Sequence, residues 1–204
     1  MNSKSTFALL FITFACANLA SAQEVGSLEE AQKAARKLNM ALPVLAGAPI
    51  SVEADLDKPC LVKGDGRGVM IVPDRNFTAA ALANLGATIT PVGQLWMLRV
   101  GIARDGRISP VEELRSVTVT DSDKDRDVQL YLLGARKNAQ GAAELVLFAK
   151  SEKPLLVTSL AGDSAGTQSL PLEITGSRTG EDTATLVIHL IGGQRAELSL
   201  MKSE

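Results

Sequence analysis

Four aspartates alternate along one short stretch of the chain, and they are the side chains best suited to hold a metal ion. They stand at every second position: Asp121, Asp123, Asp125 and Asp127. Hard oxygen ligands at this spacing can surround a calcium ion. A helix-flanked calcium loop also needs a glycine and a final glutamate, and Arg126 and Leu132 stand at those two positions. The other interpretation is a solvated hairpin turn whose mixed charges keep it soluble.

Catalysis would have to use a small set of residues, since the chain has one histidine, one tyrosine and two cysteines. A Ser-His-Asp triad would depend on His189, and no serine stands in the G-x-S-x-G pattern of a nucleophile elbow. His189 falls among apolar neighbours in a predicted strand, which is typical of a structural or surface residue. One histidine and one cysteine are also too few of the usual ligands for zinc. A hydrolase that uses His189 or acidic pairs stays open as an alternative.

Cys60 is the one cysteine outside the first 22 residues, so no intramolecular disulfide can form after their removal. It stands in the apolar run Pro59-Cys60-Leu61-Val62, which favours a buried and unreactive thiol. A reactive thiol needs a cationic environment, and its only cationic neighbours in sequence are Lys58 and Lys63. A reactive or intermolecularly paired cysteine is the alternative.

Residues 64–68 are glycine-rich, Gly-Asp-Gly-Arg-Gly. They lack the spacing and the Lys-Ser/Thr of a P-loop, and a predicted strand follows them instead of the helix of a dinucleotide-binding turn. We therefore expect a tight turn, from which Arg67 could contact an anion. Trp96, the only tryptophan, is expected in the core because it stands on an alternating strand, with a binding hot spot as the alternative.

The first 22 residues have the pattern of a cleavable signal peptide. Lys4 gives a positively charged start, residues 7–17 are almost wholly apolar, and Ala20-Ser21-Ala22 fits the small-x-small rule for cleavage before Gln23. The apolar run is shorter than the ~20 residues that span a bilayer, and Cys16 lacks the preceding leucine of a lipoprotein signal. We expect an exported protein, periplasmic or secreted, and no later apolar run is long enough to span a membrane.

Residues 27–41 are the best helix candidate, within an N-terminal helical segment over residues 23–42. Ser27 and Glu30 make a capping box, in which each side chain bonds the other residue's backbone N–H. The residues at helical spacing give a thin, mostly alanine apolar face: Leu28, Ala31, Ala35 and Leu38. Such a face docks weakly on the domain or is presented to a partner.

From residue 50 onward, short apolar runs alternate with turn residues. The predicted strands cover residues 50–56, 60–63, 69–72, 94–103, 116–120, 128–136, 144–150, 155–160, 170–175, 183–191 and 196–201. Hairpin turns are predicted at 105–106, 138–141, 180–182 and 192–193. A short helix is predicted over 77–85, with Gly86 as its capping residue.

Alternation along the strands assigns their faces. The apolar set expected to point inward from 94–103 is Trp96, Leu98, Val100 and Ile102. The inward set of 183–191 is Leu186, Ile188 and Leu190, with His189 on the opposite face. The inward set of the last strand is Ala196, Leu198 and Leu200.

The chain of 204 residues carries a net charge of −2 at pH 7, a balance that gives no electrostatic attraction to nucleic acid. Many short strands at even spacing are typical of a sandwich or barrel. We expect a mainly β protein: an antiparallel, β-sandwich-like body over residues 43–204 with a short N-terminal helix and a possible domain seam near 104–115.

No chemistry in the sequence is strong enough to name an enzyme. The first expectation is an exported, non-catalytic interaction or structural module that binds a protein partner, with sheet edges and the N-terminal helix as contact surfaces. One alternative is a protein that binds a small ligand, or calcium through residues 121–127. The other is an uncharacterised hydrolase.

If residues 121–127 bind calcium, the ion should raise the melting temperature of the purified protein, because a ligand that binds only the folded state stabilises it. We expect EDTA to reverse the increase. Thermal unfolding followed with and without calcium measures the change. A melting temperature that neither calcium nor EDTA alters would contradict the calcium hypothesis.

Overall fold

The computed structural model describes residues 24–42, 47–121, 124–162 and 168–203. The predicted signal peptide, residues 1–22, lies outside the described residues. The helices are α1 (Leu28–Ala41), α2 (Ala79–Ala83) and a single 3₁₀ turn (Val111–Glu113). The strands are β1 (Glu24–Val25), β2 (Cys60–Gly64), β3 (Arg67–Pro73), β4 (Thr90–Leu98), β5 (Val100–Arg104), β6 (Arg107–Ile108), β7 (Arg115–Asp121), β8 (Lys124–Lys137), β9 (Ala143–Phe148), β10 (Leu156–Ser159), β11 (Ala161–Gly162), β12 (Leu172–Arg178), β13 (Thr183–Leu190) and β14 (Gln194–Lys202).

The strands build two antiparallel sheets that pack face to face. The first sheet has the order β1-β2-β3-β4-β8-β9-β10, with β7 also paired to β8. The second has the order β12-β13-β14-β5-β6, with β11 also paired to β14. Strands on either side of residues 104–115 pair with each other, β4 with β8 and β5 with β14. The predicted class, a mainly β sandwich-like body with a short helix, is confirmed.

Three hairpins among the described residues close through pairs of residues with positive φ, and two of these pairs are Asp-Gly. Asp65-Gly66 joins β2 to β3 and Asp105-Gly106 joins β5 to β6, and all four residues have φ between 50° and 74°. Two successive left-handed residues match the twist of the flanking strands, and Asp and Gly tolerate that conformation well. The turn predicted at 105–106 and the tight turn expected within 64–68 are both confirmed.

Side chains from both sheets fill the space between them. The inward sets predicted for β13 and β14 are confirmed, since each of these residues is buried there: Leu186, Ile188, Leu190, Ala196, Leu198 and Leu200. They meet Ile71, Leu95 and Tyr131 of the first sheet. The buried Tyr131 hydroxyl donates to Gln129 Oε1 at 2.8 Å, so its polar atom is paired.

The first sheet is also apolar on its other face. The buried side chains there include Met70, Trp96, Leu130, Leu132 and Phe148. They are covered by α1 and by residues 48–56, a segment in which alternate apolar side chains lie on the sheet. The strand predicted over 50–56 is therefore wrong: Ala54 makes one isolated bridge, to Asp74, and no strand forms. The apolar residues alternate over 50–56 because this segment packs on the face of the first sheet, and not because it pairs with a strand at the edge of the sheet.

The single strand predicted over 94–103 is two strands, which changes where Trp96 and Leu98 point. β4 ends at Leu98, and β5 begins at Val100 in the other sheet. Between them Arg99 has a φ of 55°. Trp96 and Leu98 consequently face α1, whereas Ile102 lies between the sheets, so the single inward set was wrong.

The two helices differ in how well they follow the prediction. The capping box of α1 is present: the Ser27 hydroxyl accepts from the Glu30 N–H at 3.2 Å, and Glu30 Oε2 accepts from the Ser27 N–H at 3.0 Å. The helix predicted over 77–85 is shorter, because α2 ends at Ala83 and is capped by Asn84, whose side chain donates to the Ala80 carbonyl. Gly86 is not left-handed and does not cap it. Neither α1 nor α2 has the length and apolar character of a membrane span.

Gly93 pairs with Pro73 of β3, next to an irregularity in the β4–β8 pairing, and we expect Gly93→Ala to destabilise the protein. A Cβ at this position would collide with the Val72 carbonyl oxygen and lie 3.0 Å from Leu172 Cδ1. Because a backbone oxygen cannot move aside as the end of a flexible side chain can, the free energy of unfolding should fall by about 1–3 kcal/mol. Urea unfolding followed by tryptophan fluorescence measures it.

Gly162→Ala is the matched control, because a Cβ there has no heavy atom within 4 Å. Its free energy of unfolding should stay within about 0.5 kcal/mol of the parent value. Equal effects of the two substitutions would contradict the close approach at Gly93.

Candidate functional site

The alternating aspartates lie at the β7–β8 hairpin. Asp125 and Asp127 are on β8, where each accepts a hydrogen bond of 2.7 Å from a threonine hydroxyl of β7, Thr120 and Thr118 respectively. Asp123 and the side chain of Asp121 lie outside the described residues. Among the residues that the structure describes, no three His, Cys, Asp or Glu side chains are grouped to hold a metal ion. Calcium binding by residues 121–127 stays a prediction.

His189 lies on the solvent-facing side of the second sheet, as its strand alternation predicted. Its Nε2 is 3.0 Å from Thr175 Oγ1, and Glu173 is its direct neighbour across the strand pair. Glu173 accepts from the Ser169 hydroxyl at 2.9 Å and from two backbone N–H groups. A hydrolase that uses His189 stays a prediction.

Cys60 is buried between the two sheets, as one of its two interpretations predicted. Burial raises the pKa of its thiol, because the thiolate would lose its hydration there. The neutral thiol is a weak nucleophile, so its environment favours an inert core residue. Arg67 lines a small cavity of about 100 Å³ between the β2–β3 and β12–β13 turns, whose lining carries both cationic and acidic side chains: Lys63, Asp65, Arg178, Glu181, Asp182 and Lys202.

A two-stranded ribbon projects from the first sheet beside α1. β4 pairs with β8 only as far as Gln129, whereas β7 continues to pair with β8 out to Lys124. We call this projection, residues 117–121 and 124–128, the arm. Its polar threonine and aspartate side chains share one face, and Val117, Val119 and Val128 share the other, toward the sheet and helix.

A groove of about 460 Å³ runs between α1 and the arm, and we call it the arm groove. Its floor is the outer face of the first sheet: Leu61, Gly68, Met70, Trp96 and Leu98. The indole N–H of Trp96 already donates to Gln94 Oε1 at 3.1 Å, within the protein. The side chains of the floor therefore offer apolar surface and no spare hydrogen-bonding group.

One stripe of α1 forms the first wall of the arm groove: Glu30, Lys33, Ala34, Lys37 and Leu38. Residues three and four apart share a helix face, so this stripe runs along most of α1. The helix is held in place from outside the groove. Arg36 pairs with Asp57 at 2.7 Å, and Gln32 donates to the Asp57 carbonyl at 2.8 Å.

The opposite wall is the arm, through Val119, Arg126 and Val128. Among the described lining residues, three have cationic side chains: Lys33, Lys37 and Arg126. The one acidic residue among them, Glu30, is bound by Lys63 at 2.9 Å, and this bond lowers the pKa of its carboxyl group. The described lining is thus apolar along the floor and positive at the edges.

The sequence contained no direct signal for this site. The aspartates were selected by residue type, whereas the groove combines α1, β2, β3, β4 and the arm, which are distant in sequence. Trp96 was expected in the core and is buried, but it lies in the layer beneath α1 and not between the two sheets. Lys33 and Lys37 stand outside the apolar stripe that the helical spacing of α1 selects.

The hydrogen bond from Trp96 to Gln94 fixes the floor of the groove, and we expect Gln94→Met to weaken the fold. Both side chains are buried, so the substitution leaves the indole N–H without an acceptor. The free energy of unfolding should fall by about 1–3 kcal/mol, and the tryptophan emission should change. Gln140→Met, on the exposed β8–β9 turn, is the control and should change neither. Equal stability of the two variants would show that this hydrogen bond does not fix the floor.

Comparisons of the chain with protein-family models, with curated proteins and with solved structures found no match.

Proposed function

We propose that the protein is an exported, non-catalytic interaction module, and that it binds its partner through the arm groove. The observation that carries this proposal is the open apolar groove beside the only tryptophan, between a helix and a strand pair that are each anchored elsewhere. Binding sites are concave, mostly apolar and largely formed before the ligand arrives, with a few polar groups at their edges. The arm groove has each of these properties.

The residue types in the groove also favour binding. The lining residues that keep exposed apolar surface include the half-buried side chains of Leu38, Leu61 and Leu98. Trp96 and Met70 lie side by side beneath them, since β3 and β4 pair at these two residues, and they are only 2% and 3% exposed. An apolar depression that remained open to water would cost free energy, so an occupant that fills it is favoured.

The chemistry of the groove supports a role without catalysis. Nucleophilic or acid–base catalysis needs a nucleophile and a base within hydrogen-bonding reach of each other. The described lining residues include no serine, threonine, cysteine or histidine, and Glu30 is bound by Ser27 and Lys63. Export follows from the signal-peptide pattern of residues 1–22, and either a periplasm or the exterior of the cell fits it.

Site-specific photocrosslinking in cells tests the proposal. A photoreactive amino acid at Lys33, an exposed position on the helix wall, should form one recurrent adduct when the full chain is expressed and illuminated. Mass spectrometry of the adduct would identify the bound molecule, whether protein or lipid.

Lys153 provides the matched control, since it is an exposed lysine outside the groove. The photoreactive residue there should not form the same adduct. If Lys33 yields no adduct, or the same adducts as Lys153, the arm groove is not the working surface.

A further inference from the structure

We propose that the occupant of the arm groove is a long-chain fatty acid, an aliphatic chain that ends in a carboxylate. This inference rests on the proposed function, because it names the partner chemistry of the same groove. It follows from three properties of the site: the composition of the floor, the charges at its edges and the open space above Gly68.

The floor suits a chain without hydrogen-bonding groups. An extended peptide would bring backbone N–H and C=O groups into the groove, and each buried group without a partner is costly. The side chains that could serve it are absent from the floor, where the Trp96 donor is already used by Gln94. An alkyl chain gains from the same apolar surface and leaves nothing unpaired.

The cationic side chains at the edges of the groove favour a ligand with a negative charge. Lys33 on the helix and Arg126 on the arm lie on opposite walls, so a negative group above the floor has a cation on either side. Glu30 does not cancel them, because Lys63 and the cap of α1 already hold its carboxylate. A cationic or neutral head group would gain no such bonds.

Gly68 leaves room for the chain. It shares a face of β3 with Met70, and a Cβ built there meets only the Val62 carbonyl oxygen, at 3.8 Å. Its backbone is not left-handed, so a larger residue fits without strain. The groove volume of about 460 Å³ also falls within the range typical of small-ligand sites, about 300–1,000 Å³.

Quenching of Trp96 by brominated lipids tests the inference directly. Bromine quenches an indole only at close range, and the chain has a single tryptophan, so quenching reports occupancy of this floor. We expect dibromostearate to quench the mature protein saturably. The methyl ester of the same acid, which lacks the charge, should bind about tenfold more weakly.

Two kinds of variant locate the site. Gly68→Phe should fill the groove and abolish the quenching, while Gly162→Phe, at an exposed and unobstructed position, should leave it intact. Lys33→Glu combined with Arg126→Glu should weaken binding of the acid at least about tenfold, without an equal effect on the ester. Lys150→Glu with Lys153→Glu is the charge-matched control. Circular dichroism establishes that each variant is folded.

Vesicles of phosphatidylglycerol with brominated acyl chains separate the two sources of the ligand. Quenching by the free acid supports the inference, whereas quenching by the vesicles alone would identify a binder of membrane lipid and overturn it. Equal affinities for acid and ester, or quenching that survives Gly68→Phe in a folded protein, would overturn it. If photocrosslinking at Lys33 gives a protein adduct, and neither the brominated acid nor the vesicles quench Trp96, the inference is overturned. The proposal of an interaction module would remain supported.

Discussion

The first sheet is apolar on both faces, and the rest of the structure follows from the need to cover both. The second sheet covers one face through side chains such as Ile188 and Leu198. No third sheet is present in the described residues, so α1 and residues 48–56 cover the other face. At about 25 cal/mol per Å² of buried apolar surface, each cover contributes substantially to folding. The arm groove is the part of that face which α1, residues 48–56 and the arm leave open.

Most of the secondary structure could be predicted because its signals are local. The capping box at Ser27 and Glu30 and the turn at Asp105-Gly106 are each satisfied by neighbouring residues, so the sequence contains what is needed to recognise them. Alternation gave the correct faces of β13 and β14 because each has one buried side. The change of sheet at Arg99 could not be predicted, since a left-handed arginine is held there by the surrounding fold and not by its own preference.

The sequence does contain one indication that both faces of the first sheet are covered. Residues 130–133 read Leu-Tyr-Leu-Leu, and four consecutive apolar residues do not fit a strand with one face in water. That pattern indicates burial on both sides of β8, and hence a cover for the second face. Which segment covers that face depends on long-range packing. Ala35 packs against the sheet although it is distant from the sheet strands in the sequence, and no residue spacing predicts that contact. The groove depends on the same packing.

Because α1 buries few side chains, it resists local unfolding less than the strands do. The helix fully buries only Ala31 and Ala35, while Leu28 and Met40 remain 48% and 80% exposed. Small buried side chains give a helix little resistance to local opening, whereas the hydrogen-bonded strands open only with the whole domain. Backbone amides of α1 should consequently exchange with solvent long before those of β4 and β8. The helix wall of the groove therefore depends on its polar contacts with Asp57, whereas the floor depends on the whole sheet.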